Sequence, residues 1–126
     1  MPRVTCSMDS VTTRQGDVLC IEDHPAFALF LGLLVPGRIV PAYDLASGLR
    51  LAHERKWKWI LLDLVLPDSA LDQTVEMIPR LVATGARVLV ITGYEVEPDR
   101  LYALGACGVM IKGDPAFPEK IREYLA

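Results

Sequence analysis

The sequence has no apolar run approaching the roughly 20 residues needed to cross a bilayer, so it contains no candidate transmembrane helix. Its opening, MPRVTCSMDS, has no apolar stretch behind Arg3 and does not read as a secretory signal. It also lacks a surplus of basic charge: 13 Lys and Arg stand against 16 Asp and Glu, for a net charge of −3. Arg50, Arg55, Lys56, Lys58, Arg80, Arg87 and Arg100 are scattered, whereas binding a phosphate backbone needs a concentrated basic face. Direct contact with nucleic acid is therefore not expected. Cysteine is scarce. Cys6, Cys20 and Cys107 form no C-x-x-C pair and are odd in number, which favours a reduced compartment with two cysteines serving as small apolar residues. No internal repeat, low-complexity tract or second domain is visible. The expectation is a soluble, cytoplasmic protein.

What is present suits one folded domain. The chain has 126 residues, of which 52% are hydrophobic, enough for a core at a length typical of single domains. Residues 1–16 are polar and without periodicity, and are expected to form a flexible lead-in to a domain at 17–126. Val18–Ile21 is a short run, apolar on both faces, that stops at Glu22 and Asp23; such runs suit a central parallel strand. Pro25 fits the first turn of a helix carrying Phe27, Phe30, Leu31 and Leu34 inward and stopping at Pro36–Gly37.

Four further cycles follow. A weak strand at 38–41 precedes a helix capped by Asp44, with Leu45, Leu49 and Ala52 on one face. A strand from Trp57 ends at Asp63, with Trp57 and Trp59 expected on one face. The loop Pro67–Asp68–Ser69 leads to a helix over 70–83, which Pro79 should bend or shorten. A strand at 88–91 ends at Thr92 and is followed by a helix at 97–104; a strand at 109–111 ends at Lys112, before a last helix at 115–125. Alternation of this kind implies an α/β fold: a doubly wound parallel sheet, flavodoxin-like (βα)5, with strand order 2-1-3-4-5.

In such sheets the ligand site lies beyond the carboxyl ends of the strands, at the switch in strand order, which strands one and three flank. Asp23 and Asp63 should therefore face each other. Crowded carboxylates repel unless a cation joins them. With no His or Cys expected to converge on it, the oxygen-rich site suits Mg2+. Adding the Thr92 hydroxyl and the Lys112 ammonium points to phosphoryl handling, with an Asp carboxylate as nucleophile and cations neutralising the phosphoryl oxygens. His24 is expected to face solvent or to cap the first helix.

Four segments, VLCIEDHP, WILLDLVLPD, VLVITG and GVMIKG, occur in an order that resembles the response-regulator receiver family from about Asp17 to Ala126. The EDHP opening is most similar to receivers that usually precede a helix-turn-helix output domain, and the chain ends where such a domain would begin. The resemblance implies that Asp63 is the phosphoacceptor and that Asp23, Glu22, Asp63 and the Val65 backbone carbonyl hold Mg2+. It implies that Thr92 is the switch hydroxyl and that Lys112 pairs first with Asp63 and later with the phosphoryl group. The partners it implies are a histidine kinase or histidine phosphotransfer protein, a downstream protein target and a possible homodimer. Phosphotransfer would be self-catalysed rather than the work of a conventional enzyme.

Departures from the family pattern are specific. Val109 stands where an aromatic switch residue is common, with Tyr94 and Tyr102 as positional substitutes, and Gly113 replaces a frequent proline. Val65 is apolar and Tyr94 bulky where hydrolysis is tuned, so self-dephosphorylation is expected to be slow. The main rival is a receiver-like docking module that is never phosphorylated. An FMN-binding flavodoxin would need a phosphate loop where Glu22–Asp23 stand, and a haloacid-dehalogenase-type phosphatase would need a second Asp at position 65.

Overall fold

The computed structural model describes residues 15–94 and 96–126. Most of the expected lead-in, Cys6 included, lies outside the described residues. Five strands form one parallel sheet in the order β2-β1-β3-β4-β5: β1 Val18–Ile21, β2 Ile39–Ala42, β3 Trp59–Asp63, β4 Arg87–Thr92 and β5 Gly108–Ile111. The helices are α1 Pro25–Leu34, α2 Leu45–Glu54, α3 Leu71–Glu76, α4 Ile78–Val82, α5 Pro98–Ala103 and α6 Phe117–Leu125. The expected doubly wound order is what the chain adopts.

Two-residue periodicity in the central strands sends alternate side chains to opposite faces, and each face meets its own helices. Leu19, Ile21, Ile60, Leu62, Val88 and Val90 pack with residues of α2, α3, α4 and α5. Val18, Cys20, Trp59, Leu61, Leu89 and Ile91 pack with α1 and α6. The β1 and β3 side chains are wholly apolar until the strand ends because both faces are covered. On one of those faces α2 lies against β1 at Gly48, where a β-carbon would come within 2.6 Å of the buried Ile21 side chain.

Three local expectations changed. The helix expected over 70–83 is two helices meeting at Met77, with Pro79 in the first turn of α4, where its missing N–H removes no ladder bond. Phe30 is exposed while Ala28 and Leu31 are buried, so α1 turns a narrower stripe inward than expected. Trp57 and Trp59 lie on opposite faces, not one. Trp57 precedes the strand and escapes its alternation: its indole N–H donates to the Leu51 carbonyl at 2.8 Å and its ring carries the Arg55 guanidinium. Trp59, inside β3, packs edge-on against Tyr124 of α6. Of the cysteines, Cys20 is a buried apolar residue as expected, but Cys107 is exposed.

Arg38 closes the fold at the other end of the sheet. Its guanidinium holds both Asp17 carboxylate oxygens at 2.9 and 2.8 Å, and it donates to the Leu125 carbonyl at the end of α6. Both side chains of this fork-to-fork pair are buried, so it ties the entry to β1 and the end of the last helix to one point.

Candidate functional site at the carboxyl ends of the strands

The switch in strand order lies between β1 and β3, and the first residues past those strands carry the charge. Glu22 follows β1 and is completely buried; Asp63 ends β3 and is buried; Thr92 ends β4 and is buried. Lys112 follows β5, and its backbone N–H donates to the Thr92 carbonyl at 2.8 Å, which extends the ladder to the mouth of the site. Lys112 Nζ donates to Asp63 Oδ2 at 2.9 Å and also touches Glu22 Oε2. One ammonium thus bridges two carboxylates that would otherwise repel each other. The other Asp63 oxygen, Oδ1, accepts the Val65 N–H at 3.0 Å.

The electrostatics follow from burial. Removal from water pushes the Glu22 carboxyl above its usual range, and nearby Asp63 adds to the shift; Lys112 and His24 oppose it. Burial works to lower the Lys112 ammonium, but hydrogen bonds to Glu22 and Asp63 outweigh it and hold the group raised and charged. Cys20, behind the site in β1, has a thiol pushed upward by burial and by Glu22, so it is an inert part of the core.

Carboxylate oxygens of Glu22, Asp23 and Asp63 and Nδ1 of His24 all lie within 4.8 Å of one another. Two of the oxygens, Glu22 Oε2 and Asp23 Oδ1, are buried and make no hydrogen bond of ordinary geometry, meeting only the ion-pair contacts of Lys112 Nζ and His24 Nδ1. Three converging carboxylates, two with such oxygens, fit a hard divalent cation such as Mg2+. The expectation that no imidazole converges here is corrected. His24 Nδ1 stands 2.9 Å from Glu22 Oε1 and 3.1 Å from Asp23 Oδ1. It occupies the N-cap position of α1, yet its side chain makes no capping bond; the ring is drawn to the acidic pair, while the residue stays exposed.

A cleft of about 440 Å³ opens beside this cluster, lined by His24, Phe27, Asp63, Val65, Gly93, Tyr94 and Lys112. Val65 and Tyr94 are both exposed there. Thr92 Oγ1 accepts the Tyr94 N–H at 3.2 Å. Val109 is half-buried and packs against the α2–α5 face of the core, and Tyr102 is exposed.

Two contributors were not foreseen. Asp68 reaches from the β3–α3 loop to the start of α2, where its oxygens accept the Leu45 and Ala46 N–H groups at 2.8 and 2.9 Å. It shares with Asp44, which accepts from Ser47 N–H at 2.8 Å, the work of capping one helix. An Asp after Pro67 reads as a turn residue, and nothing in the sequence pairs it with position 45. The second is Phe27, whose ring lies 4.6 Å beneath Lys112 Nζ and packs edge-on against Phe117.

No protein-family model and no curated protein matches the sequence. Solved structures do. A response regulator protein from Burkholderia pseudomallei, with a phosphorylated aspartic acid, a calcium ion and citrate, aligns at a TM-score of 0.73 and 29% identity. That alignment covers 86% of this chain, which spans 65% of the other's length. The signal receiver domain of a DNA-binding response regulator from Colwellia psychrerythraea 34H aligns at 0.66 and 27% identity, over 86% of this chain and 96% of that one. The receiver domain of a sensor histidine kinase from Pseudomonas aeruginosa, with magnesium coordinated in its active-site cleft, shares the fold at 0.70 with 17% identity, over 88% and 94%. In sheet order, in the strand ends that carry its charge and in its structural neighbours, the chain has the receiver-domain fold and is similar to the receiver domains of response regulators.

Proposed function

We propose that the domain accepts a phosphoryl group from a phosphohistidine donor onto Asp63, in a step that depends on Mg2+. The observation that carries this reading is Lys112 bridging Asp63 and Glu22: a buried acceptor carboxylate held beside a fixed cation and a second acidic group. In the transfer, an Asp63 oxygen forms the new bond to phosphorus as the bond from phosphorus to the donor imidazole nitrogen breaks; the nitrogen keeps the electron pair. The product is an acyl phosphate on Asp63 and a donor histidine free to take up a proton.

Each residue then has a task. Lys112 moves from pairing with Asp63 to pairing with a phosphoryl oxygen, which keeps charge compensated through the transfer. Thr92 offers a hydroxyl to another phosphoryl oxygen once its contact with the Tyr94 N–H is released. Glu22, Asp23, Asp63 and the Val65 carbonyl would hold Mg2+, whose chemistry when bound is to neutralise the negative charge gathering on the phosphoryl oxygens. The face made by α5, β5 and α6 would carry the change to a protein partner by a shift between two arrangements. A downstream target protein, or a second copy of the chain, would read it.

Acetyl phosphate or beryllium fluoride with Mg2+ tests the reading. Wild type should gain the phosphoryl mass and show a Mg2+-dependent spectral change, and Asp63→Asn should show no mass gain. If wild type responds to neither reagent, the docking-module reading replaces this one.

A further inference from the structure

We propose that His24 is a nitrogen ligand of the cation site and sets its metal preference, extending it from Mg2+ toward borderline ions such as Ni2+. The inference rests on the reading of Glu22, Asp23 and Asp63 as a cation site. It goes beyond an all-oxygen site by adding an imidazole to the donor set.

Three observations converge. First, His24 Nδ1 is placed by the chain among the acidic donors, 2.9 Å from Glu22 Oε1 and 3.1 Å from Asp23 Oδ1, inside the 4.8 Å spread of the cluster. Secondly, the ring forgoes the usual work of its position. It sits at the N-cap of α1 but makes no side-chain cap, and Pro25 within the first turn leaves one fewer N–H to satisfy. Thirdly, Glu22 Oε2 and Asp23 Oδ1 are buried and make no hydrogen bond of ordinary geometry; the groups against them are Lys112 Nζ and His24 Nδ1, which an incoming cation can displace. Sharing Nδ1 between two carboxylates is a placement that a cation can take over. Metal binding replaces the Nδ1 proton that the carboxylates hold. The proton leaves to solvent and the ring keeps or takes its proton at Nε2; the Nδ1 lone pair binds the ion, and the carboxylates turn from the ring to the metal.

The consequence is selectivity. Hard carboxylate and carbonyl donors suit Mg2+, whereas imidazole suits Ni2+ and Zn2+, and affinities rise along the first-row series toward Ni2+ and Cu2+. His53, the other histidine, is exposed on α2 with its Nδ1 2.8 Å from the Leu49 carbonyl, so it is removed to leave one imidazole.

Calorimetric titration of the 126-residue His53→Ala chain with MgCl2 and with NiCl2 makes the comparison, against His24→Ala and Asp23→Asn in the same background. Expected is Ni2+ bound at least about tenfold more tightly than Mg2+, with His24→Ala losing about tenfold for Ni2+ and under about threefold for Mg2+. Asp23→Asn should weaken both ions, which places Ni2+ in this cluster. Pulsed electron paramagnetic resonance of bound Mn2+ should show imidazole-nitrogen coupling that His24→Ala abolishes. If Mg2+ binds but the Ni2+ to Mg2+ ratio and the Mn2+ signal are unchanged in His24→Ala, the inference fails and the Mg2+ reading stands. If no divalent ion binds, both fail.

Discussion

The proposed acceptor side of the cleft and the proposed relay side are built to different densities. Around Asp63 the chain has gathered two other carboxylates, an ammonium, an imidazole and the face of a phenylalanine, with Glu22 and Asp63 withdrawn from water. On the relay side Thr92 is buried, but its hydroxyl is described in only one hydrogen bond, to a backbone N–H two residues on. Tyr94 and Tyr102 are exposed, and Val109 packs into the core where an aromatic switch residue would swing. Chemistry at Asp63 needs atoms fixed to fractions of an ångström. Relay needs an element with two arrangements of similar free energy, which dense packing would remove. On the proposed reading, acceptance falls to a rigid constellation and output to the more open side.

Removing the bridging ammonium should give the largest break in that contrast. Lys112→Met keeps the stem over Phe27 but leaves Glu22 and Asp63 facing each other, a loss approaching the roughly 3 kcal/mol of a broken buried pair. Denaturant titration should show it in the absence of Mg2+ and show most of it restored by Mg2+; loss that Mg2+ leaves unchanged would mean the carboxylates do not share a cation. On the relay side, Gly108→Ala would place a β-carbon 2.3 Å from the Tyr124 hydroxyl oxygen and push that ring off Trp59. Expected is a loss of about 1–3 kcal/mol by thermal unfolding, with phosphorylation by acetyl phosphate retained. Loss of phosphorylation at unchanged folding would show the two sides to be one unit.

Smaller effects sharpen the comparison. Val65 borders the acceptor with an apolar side chain and Tyr94 with a bulky one, so the phosphorylated protein should keep its label well beyond seconds. Val65→Asn should shorten that lifetime about tenfold by orienting water toward phosphorus; label lost within seconds from wild type would contradict the assignment. The smallest effect concerns Asp44, whose carboxyl is held below the usual range by the Ser47 hydroxyl and N–H. Because its folded pKa is depressed, its contribution is present above the unfolded carboxylate value, roughly 3.9, and is lost as pH falls through the folded one. A carbon-detected NMR titration should find its midpoint below that of a free aspartate, and Ser47→Ala should raise it.

Much of this was legible from residue order. Apolar runs ending in Glu22, Asp63, Thr92 and Lys112 place those residues at the mouth of a parallel sheet, because a strand that stops being apolar has left the core. Pro79 announced the break between α3 and α4, since a proline within a helix lacks the N–H its ladder requires. Asp44 announced the start of α2. Where the pattern misled, a position lay just outside the element whose period was applied to it. Trp57 sits before β3, so two-residue spacing from Trp59 did not govern its face.

By itself, then, the sequence determined the succession of strands and helices, the sheet order and which residues end the strands, because these depend on local periodicity and on chain connectivity. Only the tertiary structure decided that His24 turns toward Glu22 and Asp23, that Asp68 caps a helix 22–23 residues away, and that Lys112 spans two carboxylates over the ring of Phe27. These are contacts between side chains whose reach and rotamer are set by neighbours distant in sequence or by the competition of nearby charges. No spacing rule carries that information.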